Sequence, residues 1–306
     1  MKILITGSSG FIGGFLLDRL KKHHDVYCLK NDLRDHAAIE QEVLSVNPEI
    51  IVHLAARTEV EKSFYEQTVF SDINYVGTVN LIEVANKLKN FKNFVFASTM
   101  EVYGWQPISD EVENFLVPNK FIAFDENTVP NPNAPYAVAK YGCEKYLEYA
   151  HRSYAFPFTA LRQTNGYGRV DNDFFVTEQI ITQMLNNPEE CRLGYAEPYR
   201  NFIYVDDMMD AWQTVIENPD KCNDGKIFTI GPDNPVKIKD WATFIANKIG
   251  WEGEIVWDTK PRRPGEIYWL NSGNKLITET LGWKPLVDYN KGIDLTIEKW
   301  TSKQKT

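Results

Sequence analysis

The sequence predicts an α/β protein, a doubly wound parallel sheet with a smaller, interleaved C-terminal lobe. Three observations predict it. Short β-rich runs alternate with helical stretches through the first half, a glycine-rich turn joins the first strand to the first helix, and the alternation loosens after about Asn165. Residues 2–6 read as a strand, 11–22 as a helix, 26–29 as a strand, 36–46 as a helix and 50–55 as a third strand. A long amphipathic helix follows at 71–88, then a strand at 94–98, a helix at 136–153 and a strand at 158–162. Strands separated by helices of this length take right-handed crossovers and form a parallel sheet covered on both faces. Beyond Asn165, helices at 177–185, 205–217 and 238–248 are joined by irregular segments rich in proline, aromatic and polar residues, which predicts the smaller lobe. Residues 105–135 show no clear periodicity, and a structureless stretch that long is usually functional or disordered.

Composition narrows the function. With 43% hydrophobic and 25% charged residues, the 306-residue chain has ordinary globular composition. Its net charge of −9, from 33 basic and 42 acidic residues, argues against nucleic acid or an anionic membrane as the main partner. An anionic small molecule is still compatible, because a few local arginines can dominate one site. The four cysteines form no CxxC pair and have no histidine at zinc-ligand spacing, so no metal site is expected. No basic-then-apolar leader and no run of membrane-spanning length is present, and a cytosolic location is expected.

The turn Thr6-Gly7-Ser8-Ser9-Gly10-Phe11-Ile12-Gly13 has the makings of a phosphate cradle. Gly7 permits the tight turn, Gly10 lets the backbone approach a pyrophosphate, and Gly13 allows helix and strand to pack closely. The helix N-terminus offers aligned N–H dipoles to the phosphate charge. These residues, Ser9, Phe11 and Ile12 included, are candidates for holding a dinucleotide on a Rossmann-type sheet. Selection between NAD and NADP stays open: Lys30 could favour the extra phosphate of NADP or be a solvated lysine, and Asp32, beside Leu33, could reach the ribose.

Tyr136 and Lys140 stand four residues apart, on one face of a helix. A phenol is a poor base at neutral pH, but a neighbouring ammonium and a positive nicotinamide ring favour its ionised form. Ser98-Thr99 closes a strand at the sheet edge where ligands of open α/β folds lie, and Thr99 could hydrogen-bond the reacting oxygen. His53 reads as a packed residue at a strand end.

In its motifs the chain resembles the extended short-chain dehydrogenase/reductase family, in the nucleotide-sugar epimerase and dehydratase branch. The matching stretches are TGSSGFIG (6–13), HLAA (53–56), NYVGTVNLIE (74–83), STMEVYG (98–104), PYAVAK (135–140), LRQTNGYG (161–168), RNFIYVDD (200–207), RRPGE (262–266) and LGWKP (281–285). They occur in family order over nearly the whole chain. The resemblance implies that Thr99, Tyr136 and Lys140 are the catalytic triad and that Leu54, Ala55 and Ala56 help to hold NAD or NADP. It also implies that Asn165, Arg200 and Arg263 contact the diphosphate of a nucleotide sugar, for which a guanidinium fork is suited. Residues 1–165, with about 202–230, would form the NAD(P)-binding domain, and 166–201 with 231–306 the nucleotide-sugar lobe. Helices 71–88 and 136–153 match those that form a four-helix dimer interface in relatives, so a homodimer is expected.

Glu101 inclines the reading toward 4,6-dehydration. Epimerases of this family generally carry a small or neutral residue there, whereas dehydratases and uronic-acid decarboxylases carry glutamate in a Thr-x-Glu pattern. Once carbon 4 is a ketone, the carbon 5 hydrogen is acidic and a carboxylate can remove it as water leaves carbon 6. The segment 193–202 also resembles the loop of dehydratases acting on GDP-mannose and related sugars. Met100 stands where some dehydratases place an aspartate, Asn201 replaces a common aspartate, and the loop after the second strand is nearly deleted. A 4-epimerase, a 4-ketoreductase or a decarboxylase are the alternatives within the family. A non-catalytic NAD(P) sensor is the alternative outside it, although such proteins typically lose the tyrosine or lysine present here.

Overall fold

The computed structural model describes residues 1–106, 110–112, 115–117, 123–170 and 172–304. Six strands form one wholly parallel sheet: β1 (Lys2–Thr6), β2 (Asp25–Cys28), β3 (Ile50–His53), β4 (Asn93–Thr99), β5 (Phe158–Gln163) and β6 (Asp224–Ile230), in the order β6-β5-β4-β3-β1-β2. The order reverses beside β1, and in open α/β sheets the ligand crevice lies outside the C-terminal strand ends at such a point.

Alternation along the strands sorts the core into two layers. Ile3, Ile5, Ile50, Val52, Val95, Ala97 and Leu161 face one side, where helices α1 (Phe11–Leu20) and, further along the chain, Val205–Glu217 pack. Leu4, Ile51, Phe94, Phe96, Phe158 and Ala160 face the other, beneath α2 (His36–Val46), α3 (residues 67–85) and α4 (Pro135–Tyr154). Period-two alternation in strands buried on both faces produces this division. Proline at the first helical position favours the start of α4, which ends at Ala155 in the left-handed region.

The helix expected at 71–88 starts earlier and is not uniform. It consists of Gln67–Ser71, a π-turn at Asp72–Val76 and Gly77–Ala85. The wider turn surrounds buried Asn74, whose side-chain amide accepts from the Arg57 N–H at 2.8 Å and donates to the Arg57 carbonyl at 2.9 Å. The Asn74 carbonyl in turn accepts from Thr78 at 2.6 Å and from the Cys143 thiol at 3.2 Å. The helix thus gives up regular bonding to tie α3, α4 and the loop after β3 together, and apolar periodicity does not report such a bulge.

Beyond β5 the short strand Asn165–Tyr167 pairs in parallel with Phe202–Tyr204, and Tyr199–Arg200 pairs antiparallel with Val236–Lys237. Helices α5 (Val176–Asn186), α6 (Val205–Glu217) and α7 (Ile238–Ile249) supply much of the remaining core, in which Trp241 stacks on Phe202 with ring centroids 4.8 Å apart. Within the unpatterned stretch 105–135, residues 107–109, 113–114 and 118–122 lie outside the described residues. Its described part is anchored: Phe124 bridges Ser272, and the Tyr103 hydroxyl donates to the Asp125 carbonyl at 2.8 Å. No helix among the described residues is long and apolar enough to cross a membrane.

Candidate active site

The turn after β1 is built so tightly that Gly7 and Gly13 are required. A Cβ on Gly13 would lie 2.1 Å from the Gly7 carbonyl oxygen, and one on Gly7, where φ is +70°, would lie 2.7 Å from the Ala55 nitrogen. No side chain caps α1 and no acidic residue occupies its first turn, so its N–H dipoles are presented to an anion without competition. The adjoining loop is held by a relay of buried hydroxyls. Thr78 donates to the Asn74 carbonyl and therefore accepts from His53 Nε2 at 2.8 Å, which leaves His53 Nδ1 to accept from Thr6 at 2.7 Å. The Thr6 oxygen then accepts from the N–H groups of Leu54 and Ala55. Burial first, and the Lys140 charge second, lower the His53 pKa to about 3, so the ring is neutral and serves packing, as the sequence suggests.

A cavity of 640 Å³ opens above this turn. Gly7, Ser9, Gly10, Phe11, Ile12 and Gly13 line one wall, and Leu54, Ala55 and Ala56 another. Thr99, Glu101, Tyr136 and Lys140 line the same cavity, together with Asn165. The fully buried strand β4 delivers Thr99, whose oxygen accepts from the Glu101 N–H at 3.2 Å and thereby starts the tight turn Met100–Tyr103 that carries Glu101. Ser98 also reaches the cavity, but its hydroxyl is committed to buried Glu144, which pairs with Arg162 at 2.8 Å. Met100 turns away into an apolar cluster with Tyr103, Phe124 and Trp269, so its position contributes no acid to the cavity.

The electrostatics correct one expectation. Tyr136 is raised, not lowered: burial dominates, the Glu101 charge adds to it, and a hydrogen bond with Thr99 opposes both. Burial depresses the Lys140 pKa to about 8, and its ammonium is directed to the Ala97 carbonyl, 2.8 Å away. Glu101 is likewise raised, chiefly by burial, against the charges of Arg200 and Arg263.

A second cavity of 580 Å³ adjoins the first, and Glu101, Asn165, Phe175 and Phe202 line both. Arg200 and Arg263 line this outer part. Arg200 is buried and donates to Glu266 at 3.0 Å and to the Tyr199 carbonyl at 2.8 Å. Arg263 is 40% exposed and lies 4.0 Å from Glu266. Asp32 and Leu33 do not line either cavity. Asp32 is exposed, and Arg34 grips it bidentately at 3.0 and 2.6 Å and draws its pKa down to about 2. Leu33 is buried against Gly77.

Other lining residues had no sequence signal. Arg169, in the irregular segment after Asn165–Tyr167, and Glu178, in the first turn of α5, both line the inner cavity. Burial raises the Glu178 pKa to about 7. In the outer cavity Arg262 lies over the Tyr195 ring, 3.8 Å from its centroid. Glu266 lay within a recognised motif, but its pairing with Arg200, 66 residues away, becomes visible only on folding.

Comparison with known proteins agrees with this architecture. A Methanocaldococcus jannaschii protein provisionally named a UDP-glucose 4-epimerase is 29% identical over 99% of this chain and 100% of its own length. The dTDP-glucose 4,6-dehydratase of Salmonella typhimurium is 28% identical, over 97% of this chain and 92% of its own. The crystal structure of the UDP-glucose 4-epimerase of Thermotoga maritima, solved with UDP-glucose, superposes with a TM-score of 0.86 at 28% identity, covering the whole of both chains. The family model for the NAD dependent epimerase/dehydratase family matches residues 3–231, and with its glycine cradle, parallel sheet and Tyr136–Lys140 helix the chain belongs to that family.

Proposed function

We propose that the chain is an NAD(P)-dependent 4,6-dehydratase of a nucleotide-diphosphate sugar, working through a 4-keto intermediate. The observation that carries this reading is the position of Glu101, which shares the inner cavity with Thr99, Tyr136 and Lys140 and also lines the outer cavity with Arg200 and Arg263. A base for carbon 5 is needed where the oxidised sugar and its diphosphate meet. The glycine turn and the uncapped α1 fit a dinucleotide pyrophosphate. Residues 1–165 with about 202–230 would hold NAD or NADP, and 166–201 with 231–306 the sugar nucleotide. When bound, the dinucleotide supplies the acceptor for the carbon 4 hydride and later returns it.

The protein's own groups perform the proton chemistry. Tyr136 accepts the hydroxyl proton at carbon 4, and Thr99 hydrogen-bonds the developing oxyanion. The Tyr136 phenol, which burial raises, is favoured in its ionised form by a positive nicotinamide ring when bound, and Lys140 lines the same cavity. Glu101 removes the proton from carbon 5, and burial makes it a stronger base than a solvated carboxylate. The same proton leaves with the carbon 6 hydroxyl as water; as the hydride reaches carbon 6, carbon 5 takes a solvent-exchanged proton in its place, and Tyr136 gives up the proton it accepted. Arg200 and Arg263 bind the diphosphate, with Asn165 beside them. We further propose a cytosolic homodimer joined through α3 and α4, which present exposed Val69, Tyr75, Val76, Val138 and Tyr149.

A second reading, 4-epimerisation, is favoured by the likeness to UDP-glucose 4-epimerases. It needs no base at carbon 5. Glu101→Gln distinguishes the two: the dehydratase reading predicts that reduced dinucleotide and 4-keto sugar accumulate without loss of water. A variant that turns over at the wild-type rate contradicts it.

A further inference from the structure

We propose that Arg169 is a positioning residue, a clasp that keeps the dinucleotide in its cradle. The inference rests on the NAD(P) reading above and extends it to a residue outside the catalytic cluster. The Arg169 guanidinium carbon lies 3.8 Å from the centroid of the Phe11 ring and 3.9 Å from that of Phe175, so the cation is sandwiched between two aromatic rings. Phe11 opens α1, and its N–H belongs to the uncapped N-terminus above the glycine turn. Phe175 immediately precedes α5 and lines the same cavity as Phe11. In the plane between the rings, Nη2 donates to the Gly166 carbonyl at 3.1 Å, and Nε lies 3.7 Å from Glu178. Glu178 in turn accepts from the N–H of Gly168 at 3.0 Å and of Arg169 at 3.4 Å, which fixes the backbone from which the clasp projects.

The chemistry argues for more than packing. Arg169 is 6% exposed, and burying a guanidinium is a costly way to bridge two rings that an apolar side chain could bridge without desolvation. A desolvated cation between two π-faces gives a strong, directional link between them. With Phe11 held in this way, the first N–H groups of α1 keep their orientation toward the pyrophosphate, and dinucleotide release requires the sandwich to open.

The test is the release rate of NADH, followed by its fluorescence as it is displaced from the purified protein by excess NAD, alongside the melting temperature. Arg169→Met and Phe175→Leu are each expected to speed release about tenfold or more. The double variant should release no faster than the quicker single one, because either change opens the same clasp. Should Arg169→Met fail to fold, Arg169→Lys keeps charge and length, and it is also expected to release faster because an ammonium cannot lie flat between rings. Variants that melt lower yet release NADH at the wild-type rate, or whose effects multiply, overturn the clasp. Wild-type protein that binds neither NADH nor NADPH overturns the cofactor reading first, and the clasp with it.

Discussion

The Lys140 ammonium donates a 2.8 Å hydrogen bond to the Ala97 carbonyl oxygen, on the strand that ends in Thr99. Burial lowers its pKa to about 8, against the raising influence of Cys143 and Glu144. A cation lining the inner cavity with Thr99, Glu101 and Tyr136 is therefore lost as pH rises through about 8. An alkaline fall in kcat/KM near that pH is expected, and Lys140→Met should remove this limb and lower kcat by about a hundredfold or more. A pH–rate profile of both proteins checks it.

His53 gives a stability prediction with a definite sign. Its folded pKa, about 3, lies below the ordinary value of 6.5. The unfolded chain therefore binds a proton that the folded chain refuses, and stability falls as pH drops from about 6.5 toward 3. The contribution is about 1.4 kcal/mol per pH unit in that window. Denaturant titrations of wild type and His53→Asn should show a shallower acid slope in the variant. Equal slopes would mean that His53 is not the group responsible.

Gly13→Ala tests the cradle. The new methyl would lie 2.1 Å from the Gly7 carbonyl oxygen, so helix and turn must separate. Dinucleotide affinity is expected to fall at least tenfold while the far-ultraviolet spectrum keeps its α/β shape, as equilibrium titration with NADH would show.

The sequence made most of the fold legible because strand and helix periods differ and the strands are buried on both faces. The inner-cavity cluster was legible for a related reason: Thr99, Tyr136 and Lys140 sit at fixed offsets on one strand and one helix. Contacts set only by folding were not. Asp32 was singled out by its position after the second strand, but its bidentate pairing with Arg34, two residues on, was not legible. Arg169 meets Phe11 across 158 positions of sequence by a route no periodicity encodes. The rise of the Tyr136 phenol depends on burial and on Glu101, which spacing along a helix does not report. The π-turn at Asp72–Val76 likewise follows from the partners of Asn74.

The central claim is that Glu101 acts as a base on carbon 5 of a sugar oxidised at carbon 4. The most direct measurement is turnover of nucleotide-diphosphate sugars in deuterated water, with the product analysed by NMR. One deuterium at carbon 5, with the original carbon 4 hydrogen found on carbon 6, is the predicted result. A product inverted at carbon 4 with no deuterium at carbon 5 would contradict it.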